Sequence, residues 1–315
     1  MEKIAKVFIG VDVSKDSLDI CIYPLGQFFK IANSEPEIKK FIKNLSVYDI
    51  EQIACEATGG YEKLLEQLLK KSSYNLWVVD PRRIKGFIAA MGCKSKNDKI
   101  DAQKIAEFAS KNSPAYEAII KNGNQDKLRA LASRKGDLTG FLAAEKTRLK
   151  HPIHAFSVSS IKKMIKILKY EIVAINLEIR NLIQSDAVLQ TKATRLESVP
   201  GIGKASAAIL LSFVPELGKI KNREIAALVG LCPYDNESGR YKGKRFIRGG
   251  RIVPRNALYM CALTTIKYHL PLKKFYDRLI EAKKPFKVAI VAVMHKLIII
   301  ANAILKKQEL CINYC

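Results

Sequence analysis

The sequence predicts an α/β domain at the amino terminus, a long helical middle region and a mostly α carboxyl-terminal domain. Short β-rich runs alternate with helical segments in the first part, an apolar repeat of helical period fills the middle, and helical patterns dominate from Thr191 onward. A chain of 315 residues with 48% hydrophobic residues is long enough for more than one modest core. The predicted domains are 1–118, 119–190 and 191–315.

The first domain begins with three short strands joined by tight connections. The runs KVFIGVDV, SLDICIYP and QFFKIAN follow one another directly, which is typical of antiparallel neighbours. Helical segments then alternate with the strands EQIACEA and NLWVVD, and this alternation predicts strands that run parallel. A further helix begins near Asn97 and Asp98, with acids in its first turn, where the helix dipole favours them.

The middle region carries an apolar seam at alternating spacings of four and three residues. Its members are Ile161, Ile165, Leu168, Ile172, Ile175, Ile179 and Leu182. Such a three-heptad seam, with charged residues between its members, is typical of a helix that packs along another helix. The partner is either the helical segment from Asp126 to Lys150 of the same chain or the same segment of a second subunit. The pattern favours a homo-oligomer, a dimer or a tetramer, without separating these arrangements.

The chain is strongly basic, with 54 Lys and Arg against 30 Asp and Glu and a net charge of +24. The larger part of this excess lies after residue 190. A run there contains seven basic residues and no acid: Arg240, Lys242, Lys244, Arg245, Arg248, Arg251 and Arg255. A field of this sign attracts polyanions, so nucleic acid is the expected partner and this run the expected phosphate contact.

Cysteine usage and hydropathy indicate in which cellular compartment the protein acts. Seven cysteines are scattered without a CxxC pair or a zinc-ligand spacing, which predicts reduced thiols in a cytoplasmic protein. The amino terminus lacks the pattern of a signal peptide. The apolar stretch from Val288 to Leu305 is interrupted by His295 and Lys296, so we expect a buried helix and no membrane partner.

Four carboxylates are placed where a fold could aim them at one divalent metal site. Asp12 and Glu56 lie near the ends of two predicted strands, and Asp98 and Asp101 are three residues apart on one helix face, with Cβ atoms about 5–6 Å apart. Mg²⁺ prefers such hard oxygen ligands, and Mn²⁺ is an alternative. Each acid taken alone is more simply a cap or a surface residue, but the set predicts a site for metal-assisted phosphoryl transfer.

A glycine-containing turn, PGIGKA, separates two helical stretches in the third domain. Gly201 and Gly203 would let a phosphate approach the backbone, and Lys204 opens the second helix, as in a helix-hairpin-helix turn that binds DNA. The competing interpretation is a turn between packed core helices.

Ser238 lies in CPYDNESGRYKGKRFIRGG, whose Pro, Asn and Gly residues predict a loop. A serine hydroxyl needs a base, or positive charge that stabilises its alkoxide, before it becomes a useful nucleophile. Position alone favours a structural role for a loop serine.

These segments together resemble the IS110 and IS1111 families of insertion-sequence transposases, whose relatives include the Piv-type DNA invertases. The resemblance runs nearly end to end, with the motifs in the family's order. It rests on GVDVSKDSLDI, EATGGYEKLLEQL, VVDPRRIKGF, KNDKIDAQKIAEFA, ESVPGIGKASAAILLSFVPELG, ALVGLCPYDNESGRYKGK and RGGRIVPRNALY.

The resemblance implies a RuvC-like domain of RNase H fold, whose DEDD carboxylates correspond to Asp12, Glu56, Asp98 and Asp101. It implies a transposase domain whose nucleophile corresponds to Ser238, with strand exchange through a phosphoserine link to double-stranded donor and target DNA. It also implies guidance by a noncoding bridge RNA and a tetramer that pairs one subunit's carboxylates with another's serine. Two positions depart from the family pattern: Asn97 replaces a usual Thr, and Asp80 replaces a usual Asn.

Two other functions stay open at the sequence level. A junction-resolving metal nuclease would use the carboxylates and water alone, so Ser238→Ala would leave cleavage intact. A non-catalytic nucleic-acid-binding scaffold would tolerate Asp12→Ala.

Overall fold

A computed structural model describes residues 6–92, 97–112, 123–151, 154–239, 241–243 and 245–308. The chain divides into two compact units, Met1–Ile119 and Ile120–Cys315. The predicted boundary near residue 118 and the Cys93, Cys311 and Cys315 positions lie outside the described residues. The four described cysteines, two of them on strands of the first unit, are free thiols.

The first unit is built on a five-stranded mixed sheet. Its strands are β1 (Lys6–Val13), β2 (Ser17–Tyr23), β3 (Gln27–Ala32), β4 (Asp49–Glu56) and β5 (Leu76–Val79), in the order β3-β2-β1-β4-β5. The first three pair antiparallel, and β1, β4 and β5 pair parallel. This confirms the predicted α/β class, because antiparallel neighbours follow directly along the chain whereas each parallel pair needs a helical crossover.

In the described part of the first unit, four helices accompany the sheet: α1 (Glu35–Asn44), α2 (Lys63–Lys71), α3 (Pro81–Ala90) and α4 (Asp98–Lys111), with a short 3-10 helix at Leu45–Val47. Leucines and isoleucines of α1 and α2 bury against β1, β2 and β4. Helix α4 packs across β1, β2 and β4, and three of its buried residues are alanines: Ala102, Ala106 and Ala109.

The second unit is mostly helical. Its helices are α5 (Gly123–Arg148), α6 (Ala155–Ser185), α7 (Ala187–Glu197), α8 (Lys204–Phe213), α9 (Asn222–Leu228), α10 (Ile252–Tyr268), α11 (Leu270–Glu281) and α12 (Phe286–Lys307). Four two-residue strands lie between α9 and α10: β6 (Pro233–Tyr234), β7 (Glu237–Ser238), β8 (Tyr241–Lys242) and β9 (Phe246–Ile247). They form two small antiparallel ladders, β6 with β9 and β7 with β8.

Helices α5 and α6 pack along each other, so the partner of the heptad seam within this chain is the preceding helix. Leu168 and Ile179 of the seam are buried, as are Leu128 and Leu138 of α5. The other face of α6 exposes a second apolar set: Phe156, Ile167, Tyr170, Val173 and Leu177. The residues of this set also recur at helical spacing, so α6 carries a second apolar stripe beside the predicted seam.

Helix α12 is a core helix of the second unit. By length and composition it could cross a membrane, but 56% of its most apolar window is buried within the protein. Ile290, Leu297 and Ile304 belong to the same core cluster as residues of α5–α10. Buried Asn302 accepts a hydrogen bond from the Gly218 backbone N–H and donates one to the Ile220 carbonyl, so its polar side chain is satisfied inside the core.

Candidate active site

Strand pairing brings Asp12 and Glu56 to the same end of the sheet. Val11 of β1 pairs with Cys55 of β4 in parallel register, and the two acids follow these partners directly along each strand. Both carboxylate residues are partly buried. Their placement follows from the sequence, because parallel strands with aligned apolar stretches end together.

Helix α4 brings the other two carboxylates to this region. Asp98 and Asp101 lie in its first turn, and the side chain of Asn97 caps it by accepting a hydrogen bond from the Ile100 N–H at 2.8 Å. The helix can lie close to β1 because residue 10 is glycine. A Cβ there would be 2.2 Å from the Ala102 carbonyl oxygen and 2.3 Å from the Ala106 nitrogen. Gly10 therefore fixes the distance between the helix that bears two of the acids and the strand that bears Asp12.

The carboxylates are close enough to influence one another. Burial, followed in order of size by the negative charges of Asp101, Asp98, Asp19 and Glu56, raises the pKa of Asp12 to about 6. Electrostatic repulsion among the predicted ligands is therefore a property of this fold, and a bound divalent cation would relieve it.

Asp19 is a fifth carboxylate in this group, which the sequence analysis missed. It lies opposite Asp12 in the β1–β2 pairing, is 7% exposed, and accepts a hydrogen bond from Lys30 Nζ at 3.0 Å. Lys30 Nζ also lies 3.5 Å from Asp98 Oδ2, so one ammonium group contacts two acids of the group. A charged residue inside the otherwise apolar strand SLDICIY was the signal that pointed to a buried acid.

The donor set fits a hard divalent cation by its chemistry, since it consists of carboxylate oxygens that repel one another. Among the residues that the structure describes, however, no three Asp, Glu, His or Cys side chains converge tightly enough to hold a metal ion. Lys30 instead serves as the counterion of Asp19 and Asp98 in this arrangement.

Asn97 and Asp80, the two residues that differ from the family pattern, both act as helix caps. Asn97 caps α4, as described above. Asp80 caps α3: its side chain accepts from the Arg82 N–H at 2.9 Å and pairs with the Arg82 guanidinium at 2.6 Å, a contact that lowers the pKa of Asp80. The capping alternative for Asp80 therefore accounts for its contacts.

Ser238 lies on an exposed β-hairpin of the second unit. It pairs with Tyr241 across the β7–β8 ladder, and Gly239 in the turn adopts a left-handed φ of 55°. Among the described residues, no side chain hydrogen-bonds the Ser238 hydroxyl. The neighbouring Arg240 and Lys244 lie outside the described residues, while Lys242 is exposed.

The remaining arginines of the basic run fall into two groups. Arg248 is exposed and stacks over the Tyr234 ring at 5.3 Å, and exposed Arg245 pairs with Asp235 at 2.5 Å. Arg251, by contrast, forms a two-pronged pair with Glu216 at 2.6 and 2.7 Å and donates to the Phe213 carbonyl. Arg255 donates to the Gly249 carbonyl at 2.6 Å.

The last two arginines hold the base of the loop that carries Ser238. There the Gly230 and Gly250 backbones touch: a Cβ on Gly250 would be 2.1 Å from the Gly230 nitrogen. The Arg251 N–H donates to the Leu228 carbonyl, which attaches the end of the loop to α9. Sequence reasoning grouped all seven basic residues by charge and did not separate those with internal partners from those facing solvent.

The PGIGK turn connects α7 to α8, and its two glycines differ in surroundings. Gly201 has a left-handed φ of 89° and lies against α10, where a Cβ would be 2.1 Å from Thr265 Oγ1. Gly203 faces open space as the N-cap of α8, and Lys204 beside it is exposed. Gly201 thus supports the interpretation as a turn between packed helices, and Gly203 with Lys204 supports the interpretation as a phosphate-binding turn.

Two family profiles match the chain. One, described as a DEDD transposase of the IS110 type, matches residues 9–156, and the other, described as the IS116/IS110/IS902 transposase family, matches residues 193–277.

Similar proteins span almost the whole length. The chain is 26% identical over 316 residues to pilin gene-inverting proteins of Moraxella lacunata and Moraxella bovis, with 97% of each chain covered. It is 22% identical over 339 residues to the transposase for insertion sequence element IS1111A of Coxiella burnetii, covering 96% of this chain and 90% of that one. The end-to-end similarity agrees with the order of the motifs, and the chain belongs to the IS110 family of transposases.

Proposed function

We propose that this transposase breaks and rejoins double-stranded DNA with the carboxylates of its first unit and the serine of its second. The observation that carries the proposal is the electrostatic coupling of Asp12 to Asp98, Asp101 and Glu56. A group of carboxylates that repel one another can bind divalent metal ions, and such ions assist phosphoryl transfer. Transposition is a phosphoryl-transfer reaction, so this site suits the family.

Asp12, Glu56, Asp98 and Asp101 would hold Mg²⁺, or Mn²⁺ in its place. When bound, the ion supplies Lewis-acid stabilisation of charge on the phosphate. The sheet supports an RNase H-like assignment through its order of three antiparallel strands followed by two parallel ones. Lys30 would release Asp98 as the ligand set assembles and keep its contact with Asp19.

Ser238 is the proposed nucleophile. Its oxygen forms a bond to phosphorus while one deoxyribose oxygen leaves and gains a proton, and rejoining reverses this exchange on a second strand. The exposed hairpin presents the hydroxyl to a bound strand, and the surrounding positive charge would stabilise the alkoxide and the phosphorane.

Lys242, Arg245 and Arg248, which are exposed, supply the proposed contacts to nucleic acid. Arg240 and Lys244, which lie outside the described residues, belong to the proposed set by their place in the basic run. Gly203 and Lys204 would bind a further phosphate at the start of α8, as in a helix-hairpin-helix. Arg251 and Arg255 would act by holding the loop in place. The guide would be a bridge RNA, and the protein would act in the cytoplasm on chromosomal or element DNA.

A homo-oligomer is the proposed assembly. The exposed apolar face of α6, with Tyr170 and Val173 at its centre, offers a second packing surface beside the one that α5 covers. Large exposed side chains at helical spacing are typical of helices that pair with another subunit.

The experiment is a two-plasmid recombination assay with the protein, Mg²⁺ and RNA from the flanking DNA. We expect joined products with the native protein and none with Asp12→Ala or Ser238→Ala. Cleavage that survives Ser238→Ala would favour the junction-resolving nuclease. Products inverted within one molecule would favour a DNA invertase, as the names of the Moraxella proteins suggest.

A further inference from the structure

A second basic site lies away from the Ser238 loop, in the second unit. A cavity of about 490 Å³ opens between the start of α11 and the middle of α12. His269, Lys274, Phe275, Arg278 and Lys296 are among the residues that line it. No acidic residue is among the lining residues.

His269 places an unused donor in this cavity. Its Nδ1 accepts a hydrogen bond from the Leu272 N–H at 3.3 Å, as the N-cap of α11. The proton of the neutral ring therefore lies on Nε2, and burial lowers the pKa of His269, which keeps the ring neutral. Nε2 is buried and has no hydrogen-bond partner among the described residues. A buried donor without an acceptor is costly, so an acceptor from outside the chain would stabilise it.

Two cations share the same aromatic ring beside this donor. Lys296 Nζ lies 4.7 Å and Arg278 Cζ 5.5 Å from the Phe275 ring centroid. Within the described part of the chain, neither cation has a carboxylate within 4 Å. This holds even though Asp277 directly precedes Arg278 in the sequence. Both cations line the same cavity, so an anion bound in it would be attracted to both.

We propose that this cavity is a phosphate-binding site that takes a backbone phosphate of nucleic acid, with His269 Nε2–H, Arg278 and Lys296 as donors. Phosphate supplies several strong acceptor oxygens and a negative charge, which matches a set of donors without an acid. The part of the proposal that concerns nucleic acid rests on the proposed function. It adds a contact outside the basic run and outside the PGIGK turn.

The test compares two variants that each remove two positive charges. R278Q/K296Q changes the cavity, and K267Q/K306Q changes exposed lysines of α10 and α12 that do not line it. Binding of a DNA duplex and of the flanking RNA transcript is measured across a salt series. We expect R278Q/K296Q to lower the affinity for the DNA or for the RNA about tenfold, and to reduce the slope of log affinity against log salt concentration by about one. The control variant should change affinity much less.

His269→Asn isolates the third donor. Asn is a good N-cap, so the start of α11 is kept while the deep Nε2 donor is lost. We expect its effect on affinity to lie in the same direction as that of R278Q/K296Q. Equal losses of affinity in the site and control variants, or an unchanged salt slope, would overturn the assignment. The effect would then come from the overall positive charge of the protein and not from this cavity.

Inorganic phosphate separates this inference from the proposed function. Titration at constant ionic strength should shift the His269 ring resonances and raise the Tm of the native protein and of K267Q/K306Q, but not of R278Q/K296Q. A phosphate response without binding of DNA or RNA would keep the anion site and reject the nucleic-acid ligand. No response to phosphate and no difference between the two double variants would reject the site itself.

Discussion

At the residue scale, Asp12 occupies a position that costs the metal-free protein stability. Its carboxylate is partly buried among four others, and Lys30 supplies a positive charge to two of them, Asp19 and Asp98. Like charges in one partly buried group disfavour the folded state unless a cation neutralises them. The same side chain would thus lower stability without metal and increase it with metal.

Asp12→Asn should raise the Tm by about 2–4 °C in EDTA, as expected when the free energy of unfolding increases by about 1 kcal/mol. It should also abolish the rise in Tm that Mg²⁺ gives the native protein, because a ligand is lost. Thermal unfolding with and without Mg²⁺ measures both effects. Asp16→Asn, an exposed change in the neighbouring β1–β2 turn, is the control and should leave both values unchanged. A Mg²⁺ response that persists in Asp12→Asn would contradict the assignment of Asp12 as a ligand.

Gly10 is the residue on which the approach of α4 depends. Gly10→Ala would place its Cβ within 2.3 Å of two backbone atoms of α4, so the helix must move. We expect a loss of about 3 kcal/mol in the free energy of unfolding and a weaker Mg²⁺ response, measured by denaturant titration. Gly86→Ala in α3 has open space around its Cβ and should be neutral or stabilising, by up to about 1 kcal/mol. Equal effects of the two substitutions would show that close packing at Gly10 does not matter.

At the scale of elements, the loop between α9 and α10 combines a fixed base with an exposed tip. The base is held by Arg251 with Glu216, by Arg255 with Gly249 and by the contact of Gly230 with Gly250. The tip carries Ser238 on a two-residue ladder, which has little packing of its own. The basic residues of this one run therefore have two different roles.

Arg251→Gln should destabilise the protein by about 3 kcal/mol, because it leaves the largely buried Glu216 carboxylate without its partner. Arg248→Gln should leave the Tm unchanged and weaken DNA binding, with a salt slope reduced by about one. Thermal unfolding and fluorescence anisotropy with a labelled duplex separate the two effects. An unchanged Tm in Arg251→Gln would contradict its structural role.

The elements differ in how far the sequence predicted them. The three antiparallel strands, the parallel crossovers and the start of α4 near Asn97 and Asp98 were confirmed, because alternation and acids in a first helical turn are local signals. The role of Gly10 was not predictable, since it depends on which helix crosses the strand. Asp19 and Lys30 were missed because their contact joins β2 and β3 across the sheet. Arg251 was grouped with solvent-facing arginines because its partner lies 35 residues earlier.

At the scale of the whole molecule, a strongly basic chain contains an acidic group in its first unit and an exposed serine in its second. The net charge of +24 would bring nucleic acid to the protein, and the acids would then need a divalent cation before a phosphate could approach them. The proposed function therefore predicts that DNA chemistry depends on metal at any salt concentration that permits DNA binding.

The most direct test of this account is a search for a covalent bond between Ser238 and DNA. The protein, expressed with its flanking DNA as the RNA source, is supplied with donor and target duplexes and Mg²⁺, then denatured, digested and analysed by mass spectrometry. The account predicts a nucleotide adduct on the Ser238 peptide that is absent in Ser238→Ala, in Asp12→Ala and in EDTA. Cleaved DNA without an adduct, together with full cleavage by Ser238→Ala, would contradict the serine mechanism.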